Sequence, residues 1–237
     1  GACFVDALMD AGAAKVYACA REPETLVGAI EAYGSRLVPL RLDMADCAQI
    51  DEVIARVDDV DLLISNAGRG GSGTVLTLDD ADVRELFEVH VFGPRRLMAG
   101  LMPGIVERRG GVILVQSTAA LAMSRGGPMY SASKSAATYM AMGLREEMKA
   151  LGVKVVNVHP GFTNTDIIAG YDIAKASPRA VADAALEGWA ADEAHVFTDL
   201  YAQMVHEQVL TQMNDLLFEP AAAGTELIAR YRERTDS

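Results

Sequence analysis

Tyr130-Ser131-Ala132-Ser133-Lys134, with Ser117 thirteen residues earlier, supplies three hydrogen-bonding side chains of different acidity. Together they could act on one carbonyl or alcohol oxygen. A phenol can pass a proton, an ammonium can make that proton more acidic, and a hydroxyl can hold the oxygen. On a helix, Tyr130 and Lys134 are four apart and share a face. A free phenol titrates near 10, too high for a base at neutral pH. A positive charge at Lys134 would favour the phenolate. Ser117 follows an apolar run, and its hydroxyl would donate more strongly as negative charge grows on the oxygen.

The elements that must position these groups alternate between strand and helix. Strands are expected at Lys15–Ala20, Leu37–Leu42, Val60–Ser65, 111–116, Val153–His159 and His195–Thr198. Helices are expected at Pro23–Tyr33, Ala45–Val57, Asp80–Arg109, Met129–Leu151, Arg179–Ala191, Tyr201–Leu217 and Pro220–Arg234. Gly93-Pro94 should kink the long third helix or mark a tight packing point. Strands that are apolar throughout and separated by helices predict a parallel sheet covered on both faces. The expected fold is α/β: a doubly wound parallel sheet in three α/β/α layers, one domain over residues 1–237. Ligands of such sheets bind beyond the carboxyl ends of the strands. Arg21, Asp43, Asn66, Ser117, and Pro160 with Thr165 each follow a strand.

Half of the 237 residues are hydrophobic and 23% are charged, so the chain can build a sizeable core. A net charge of −12 argues against nucleic acid as a partner. No apolar run reaches the roughly 18–20 residues of a membrane span. Cys3, Cys19 and Cys47 have no metal-ligand spacing and read as reduced thiols, which makes the cytoplasm the expected compartment. His159, His195 and His206 are scattered along the sequence and read as structural or surface residues; no metal is expected.

Asn66-Ala67-Gly68, Ser117, Tyr130 with Lys134, and Pro160-Gly161-Phe162-Thr163-Asn164-Thr165 follow one another in a recognisable order and spacing. In these motifs the chain resembles the short-chain dehydrogenase/reductase family, of the type with an NAG motif and YxxxK, over nearly its whole length. The resemblance implies a Rossmann fold and an oxidoreductase that transfers hydride between a nicotinamide cofactor and a secondary alcohol or carbonyl. It assigns the acid/base role to Tyr130 and makes Lys134 a ligand of the nicotinamide ribose. Asn66, Ala67 and Gly68 would let the adenosine ribose approach the backbone. Asp43 would accept from the adenine amino group, and Pro160, Gly161 and Thr165 would hold the carboxamide. The family also implies a homodimer or homotetramer formed through the two long helices.

Two departures stand out. The family opens with a strand and a TGxxxGxG loop that receives the pyrophosphate. This chain opens at Gly1-Ala2-Cys3-Phe4-Val5, which resembles the helix after that loop, with Gly1 as its last glycine. The expectation is that a strand and loop precede Gly1, because losing a central strand would strand backbone groups on both neighbours. His90 stands where the family usually has asparagine. It reads either as a hydrogen-bonded helix histidine or as a member of the proton relay, given an ordinary pKa near 6.5.

The nucleotide preference rests on Ala20-Arg21. An acidic residue at this strand end would bond a free ribose 2′-hydroxyl, whereas a guanidinium is a fork for a 2′-phosphate. NADP(H) is therefore expected over NAD(H), a solvated helix-entry arginine being the other reading. Met123, Phe162 and Ile167 suggest apolar walls for a small-molecule alcohol or carbonyl substrate. A nucleotide-binding or scaffold protein of impaired catalysis is the competing function. A sugar-nucleotide epimerase or dehydratase would need a larger carboxyl-terminal domain.

Overall fold

The computed structural model describes residues 1–123, 127–212 and 220–235. The chain begins with α1 (Ala2–Asp10), β1 (Val16–Ala20), α2 (Val27–Tyr33), β2 (Leu37–Arg41), α3 (Cys47–Arg56) and β3 (Leu62–Ser65). There follow α4 (Asp80–Phe87), α5 (Gly93–Glu107), β4 (Gly111–Val115), α6 (Pro128–Lys149) and β5 (Lys154–His159). The carboxyl-terminal part holds α7 (Pro178–Ala190), β6 (His195–Phe197), α8 (Leu200–Thr211) and α9 (Pro220–Thr235). The end of the expected Tyr201–Leu217 helix, residues 213–217, lies outside the described residues.

All strand pairings are parallel, in the orders β1-β2 and β3-β4-β5-β6. This is the doubly wound Rossmann arrangement. β1 and β3 do not pair with each other, so the sheet falls into two hydrogen-bonded parts.

Alternation along the strands explains why they are apolar throughout. Val112, Leu114 and Val155 face one core with Ile50 and Val53 of α3, Leu97, Leu101 and Ile105 of α5, and Ala141 of α6. Ile113, Val156 and Val158 face the other with Phe4 and Ala7 of α1 and Ala182 and Ala185 of α7. A further cluster joins Met204 and Val205 of α8 to Leu227 and Tyr231 of α9. Helix starts are capped where the sequence offers an oxygen: Asp46 accepts from Ala48 and Gln49 amides, and Ser177 from the Ala180 amide.

The Pro23–Tyr33 segment opens with a 3₁₀ turn, Pro23–Leu26, because proline at the first position tightens it before α2 begins. The long Asp80–Arg109 helix is interrupted just ahead of Gly93 by a π-helical turn, Glu88–Phe92. Gly93 is also the tight packing point: a Cβ there would lie 2.0 Å from the Met44 carbonyl oxygen. Gly93→Ala would gain about 1 kcal/mol in helix propensity. It would lose more by overpacking, since a backbone carbonyl cannot swing aside. We expect a net destabilisation of about 1–3 kcal/mol, read from the midpoint of urea unfolding.

Candidate active site

β4 ends at Val115, and its carbonyl accepts from Lys134 Nζ at 3.1 Å. This bond ties α6 to the strand two residues before Ser117. The Ser117 side chain caps the following 3₁₀ turn, accepting from the Ala119 amide at 3.1 Å, and is hydrogen-bonded to the Tyr130 phenol. Ser117, Tyr130 and Lys134 are therefore gathered at one strand end. Burial lowers Lys134 to about 8, leaving it mostly charged at neutral pH. Burial raises Tyr130 above its ordinary value, and the Ser117 bond offsets this in part. The expected acidification of the phenol by Lys134 is thus not what the chain alone produces, because desolvation dominates.

His90 lies on the π-helical turn and is 4% exposed. π-Turns of this kind recur at functional sites. The Arg69 amide approaches His90 Nε2 at 3.2 Å, and an N–H can only donate, so Nε2 accepts. The ring proton therefore lies on Nδ1 and points at Ser133 Oγ, 2.9 Å away. Ser133 Oγ in turn donates to the Tyr130 carbonyl at 2.7 Å. Burial, then the Lys134 charge, push His90 down to about 3, so the ring is neutral. Both ring nitrogens are engaged in hydrogen bonds. Gly68 passes close by: a Cβ on it would come within 3.5 Å of His90 Nε2 and 3.7 Å of Lys134 Nζ. Arg69 is held beside it by ion pairs to Asp82 and Glu85.

A polar cleft of about 540 Å³ opens at the ends of β1 and β2, lined by Ala20, Arg21, Glu22, Thr25, Arg41, Asp43 and Gln49. Arg41 Nη1 donates to the Arg21 carbonyl at 3.0 Å. Asp43 Oδ1 accepts from the Ala45 amide at 2.9 Å. Sequence reasoning missed Arg41, although the alternation that buries Leu40 points the next residue outward at the strand end. Asn66, Ala67 and Gly68 follow β3, and Gly1 abuts Asn66: a Cβ on Gly1 would lie 3.7 Å from Asn66 Nδ2.

Pro160-Gly161 ends β5. The Gly161 amide donates to Asp199 Oδ2 at 2.7 Å, and the same carboxylate accepts from the Ala202 amide and the Thr198 hydroxyl. A Cβ on Gly161 would meet Asp199 Oδ1 at 2.5 Å, so any larger residue would have to displace that carboxylate from its bonds. Thr165 is exposed, its hydroxyl donating to the Thr163 carbonyl at 3.3 Å. Met123 and Ile167 are exposed, but Phe162 packs into a ring cluster with Tyr201, Tyr171 and Tyr231. The Tyr231 hydroxyl of α9 donates to the Ala174 carbonyl at 3.2 Å, fastening the segment after Thr165 from outside.

The family model for short chain dehydrogenases matches residues 1–175. The chain belongs to the short-chain dehydrogenase family. It is 31% identical to a short-chain dehydrogenase of Burkholderia cenocepacia whose structure was solved in complex with NADP; the match covers 91% of this chain and 90% of that one, with a TM-score of 0.85. A short-chain dehydrogenase of Streptomyces avermitilis is 27% identical, with a TM-score of 0.83 and coverage of 95% and 94%. The NADPH-dependent 1-acyldihydroxyacetone phosphate reductase of Saccharomyces cerevisiae is 34% identical over 159 residues, 64% of this chain and 54% of that protein. The chain spans about half the length of the curated relatives it matches. Among the described residues no helix is long and apolar enough to cross a membrane, and no cluster could hold a metal ion.

The buried histidines make stability acid-sensitive. His90 titrates at about 3 and His159 at about 4 in the fold, against about 6.5 when unfolded. Below that unfolded value the unfolded chain takes up protons that the folded chain refuses. Stability is therefore full above about pH 6.5 and declines as pH falls toward the folded values. Each ring contributes a slope of about 1.4 kcal/mol per pH unit between the two limits. Urea unfolding at pH 5 and pH 7 checks this, and His90→Asn should flatten the slope.

Proposed function

We propose that this chain is an NADP(H)-dependent oxidoreductase that interconverts a secondary alcohol and a carbonyl, with Tyr130 as general acid and base. The observation that carries the reading is the gathering of the Ser117 side chain, the Tyr130 phenol and the buried Lys134 ammonium at one strand end. Dinucleotide binding is supported by this structure's donor set. Two guanidinium groups, of Arg21 and Arg41, and two carboxylates, of Glu22 and Asp43, line one cleft, while a lysine and a phenol stand at the end of β4. NADP(H) supplies or accepts the hydride.

The chain's own groups do the rest. In reduction, Ser117 donates to the substrate oxygen, and that bond strengthens as charge develops. Tyr130 gives its proton to the same oxygen. Burial keeps the phenol protonated at neutral pH, the state a proton donor needs. Lys134 supplies the nearby positive charge and a donor for ribose hydroxyls. Arg21, with Arg41 beside it, would take the 2′-phosphate, and Asp43 the adenine amino group. Asn66, Ala67 and Gly68 would lie along the adenosine ribose, near Gly1. Pro160 and Gly161, with Thr165, would hold the carboxamide. His90 acts here through position: it fixes Gly68-Arg69 against α6. The relative from Burkholderia cenocepacia, solved with NADP, and the NADPH-dependent yeast reductase support the cofactor reading. Exposed Phe92, Tyr139 and Met142 on the helical face support a homo-oligomer.

Tyr130→Phe should lower ketone reduction by about 10²–10⁴-fold while leaving NADPH affinity unchanged. NADPH oxidation followed by absorbance, with affinity taken from fluorescence, checks both halves. In the parent enzyme the rate should fall as pH rises through about 8, because Lys134 loses its charge there. NADPH binding without turnover across a broad carbonyl panel would favour the scaffold reading instead.

Arg21→Ala and Arg41→Ala should each raise the KM for NADPH about tenfold or more, the worth of a charge-assisted bond, and leave that for NADH nearly unchanged. A parent enzyme that prefers NADH would overturn the assignment.

A further inference from the structure

Three of the chain's four histidines, scattered in sequence, meet behind Ser117. His159 ends β5 and is fully buried. Its Nδ1 lies 3.4 Å from the Ser117 carbonyl oxygen, and its Nε2 lies 3.0 Å from His195 Nδ1 on β6. Phe197 stacks on His159 from one side and on His206 of α8 from the other, with ring centroids 5.2 and 4.1 Å apart. These groups have no part in the reaction proposed above.

Their hydrogen-bond roles follow from valence. A carbonyl oxygen only accepts, so the proton of the His159–Ser117 contact lies on Nδ1. Burial, with the charges of His195, His206 and Lys134, lowers His159 to about 4, so the ring is neutral and Nε2 carries a lone pair. His195 must therefore donate through its own Nδ1–H. Arg145 and His206 face His195, and Arg145 is itself paired with Asp192. The result is a directed chain, His195 to His159 to the Ser117 backbone. In the same peptide unit, the Thr118 amide donates to the Pro160 carbonyl at 3.0 Å.

We propose that His159 is a positioning residue for Ser117, fixing its backbone so that the hydroxyl meets Tyr130, and that His195 sets the tautomer His159 needs. The proposal rests on the oxidoreductase reading only for its kinetic readout. Small displacements of a catalytic group cost large factors in rate.

Three measurements test it on the full chain. Nitrogen NMR of the imidazole rings should show His159 protonated on Nδ1 and bare on Nε2; the opposite tautomer overturns the proposal. His159→Leu, which removes the donor, should lower kcat about tenfold with NADPH and a panel of aryl and alkyl ketones, with NADPH affinity unchanged. His159→Asn places an amide N–H near the Nδ1 position and should recover most of that loss. Equal kcat in the Leu variant and the parent, or no recovery with Asn, overturns the proposal. The third readout needs no substrate. Loosening Ser117 removes the bond that lowers the Tyr130 pKa, so spectrophotometric titration of His159→Leu should show that pKa raised. An unshifted value overturns positioning even if the parent turns over no ketone, and a shifted value supports it in the same case.

Discussion

A buried ammonium must be held by something, and here the Val115 carbonyl holds it. Burial disfavours the Lys134 charge, and one backbone acceptor at the end of β4 meets it. That bond fixes the rotation of α6 about its axis. Tyr130, one turn earlier, then faces the Ser117 side chain, with the His90 ring edge-on at 5.6 Å between centroids. The carbonyl that receives Lys134 lies two residues before Ser117, so one strand end determines the relative placement of all three groups.

Around this charge burial keeps His90 and His159 neutral. Each is hydrogen-bonded to backbone beside the trio. His90 accepts from the Arg69 amide and reaches the Tyr130 carbonyl through Ser133. His159 donates to the Ser117 carbonyl. A protonated ring at either place would set a second positive charge near Lys134 in a low-dielectric interior, at high Coulomb cost. Burial resolves this by keeping protons off the rings, and the neutral rings then serve as directional struts.

The sequence made the strands, their order and most of the site legible because apolar runs followed by functional residues are local signals. Spacing alone put Tyr130 and Lys134 on one helix face, and the ordered family motifs added Ser117 to them. Other features were not local. The burial that raises Tyr130 depends on packing, which no spacing reveals. His159, His195 and His206 looked scattered because β5, β6 and α8 meet only in three dimensions. Arg41 could have been found from strand alternation, whereas the role of Asp199 could not: its partners lie 38 residues back, at Gly161, and three residues on, at Ala202. The π-helical turn carries no sequence signature beyond the Gly93 contact that follows it.

Asp199 serves two masters: the first turn of α8 and the bend after β5 share one carboxylate. Neither can hinge without the other losing its acceptor. The bend after β5 and the start of α8 are thereby clamped as one unit, while Thr165 and Ile167 beyond the bend stay exposed.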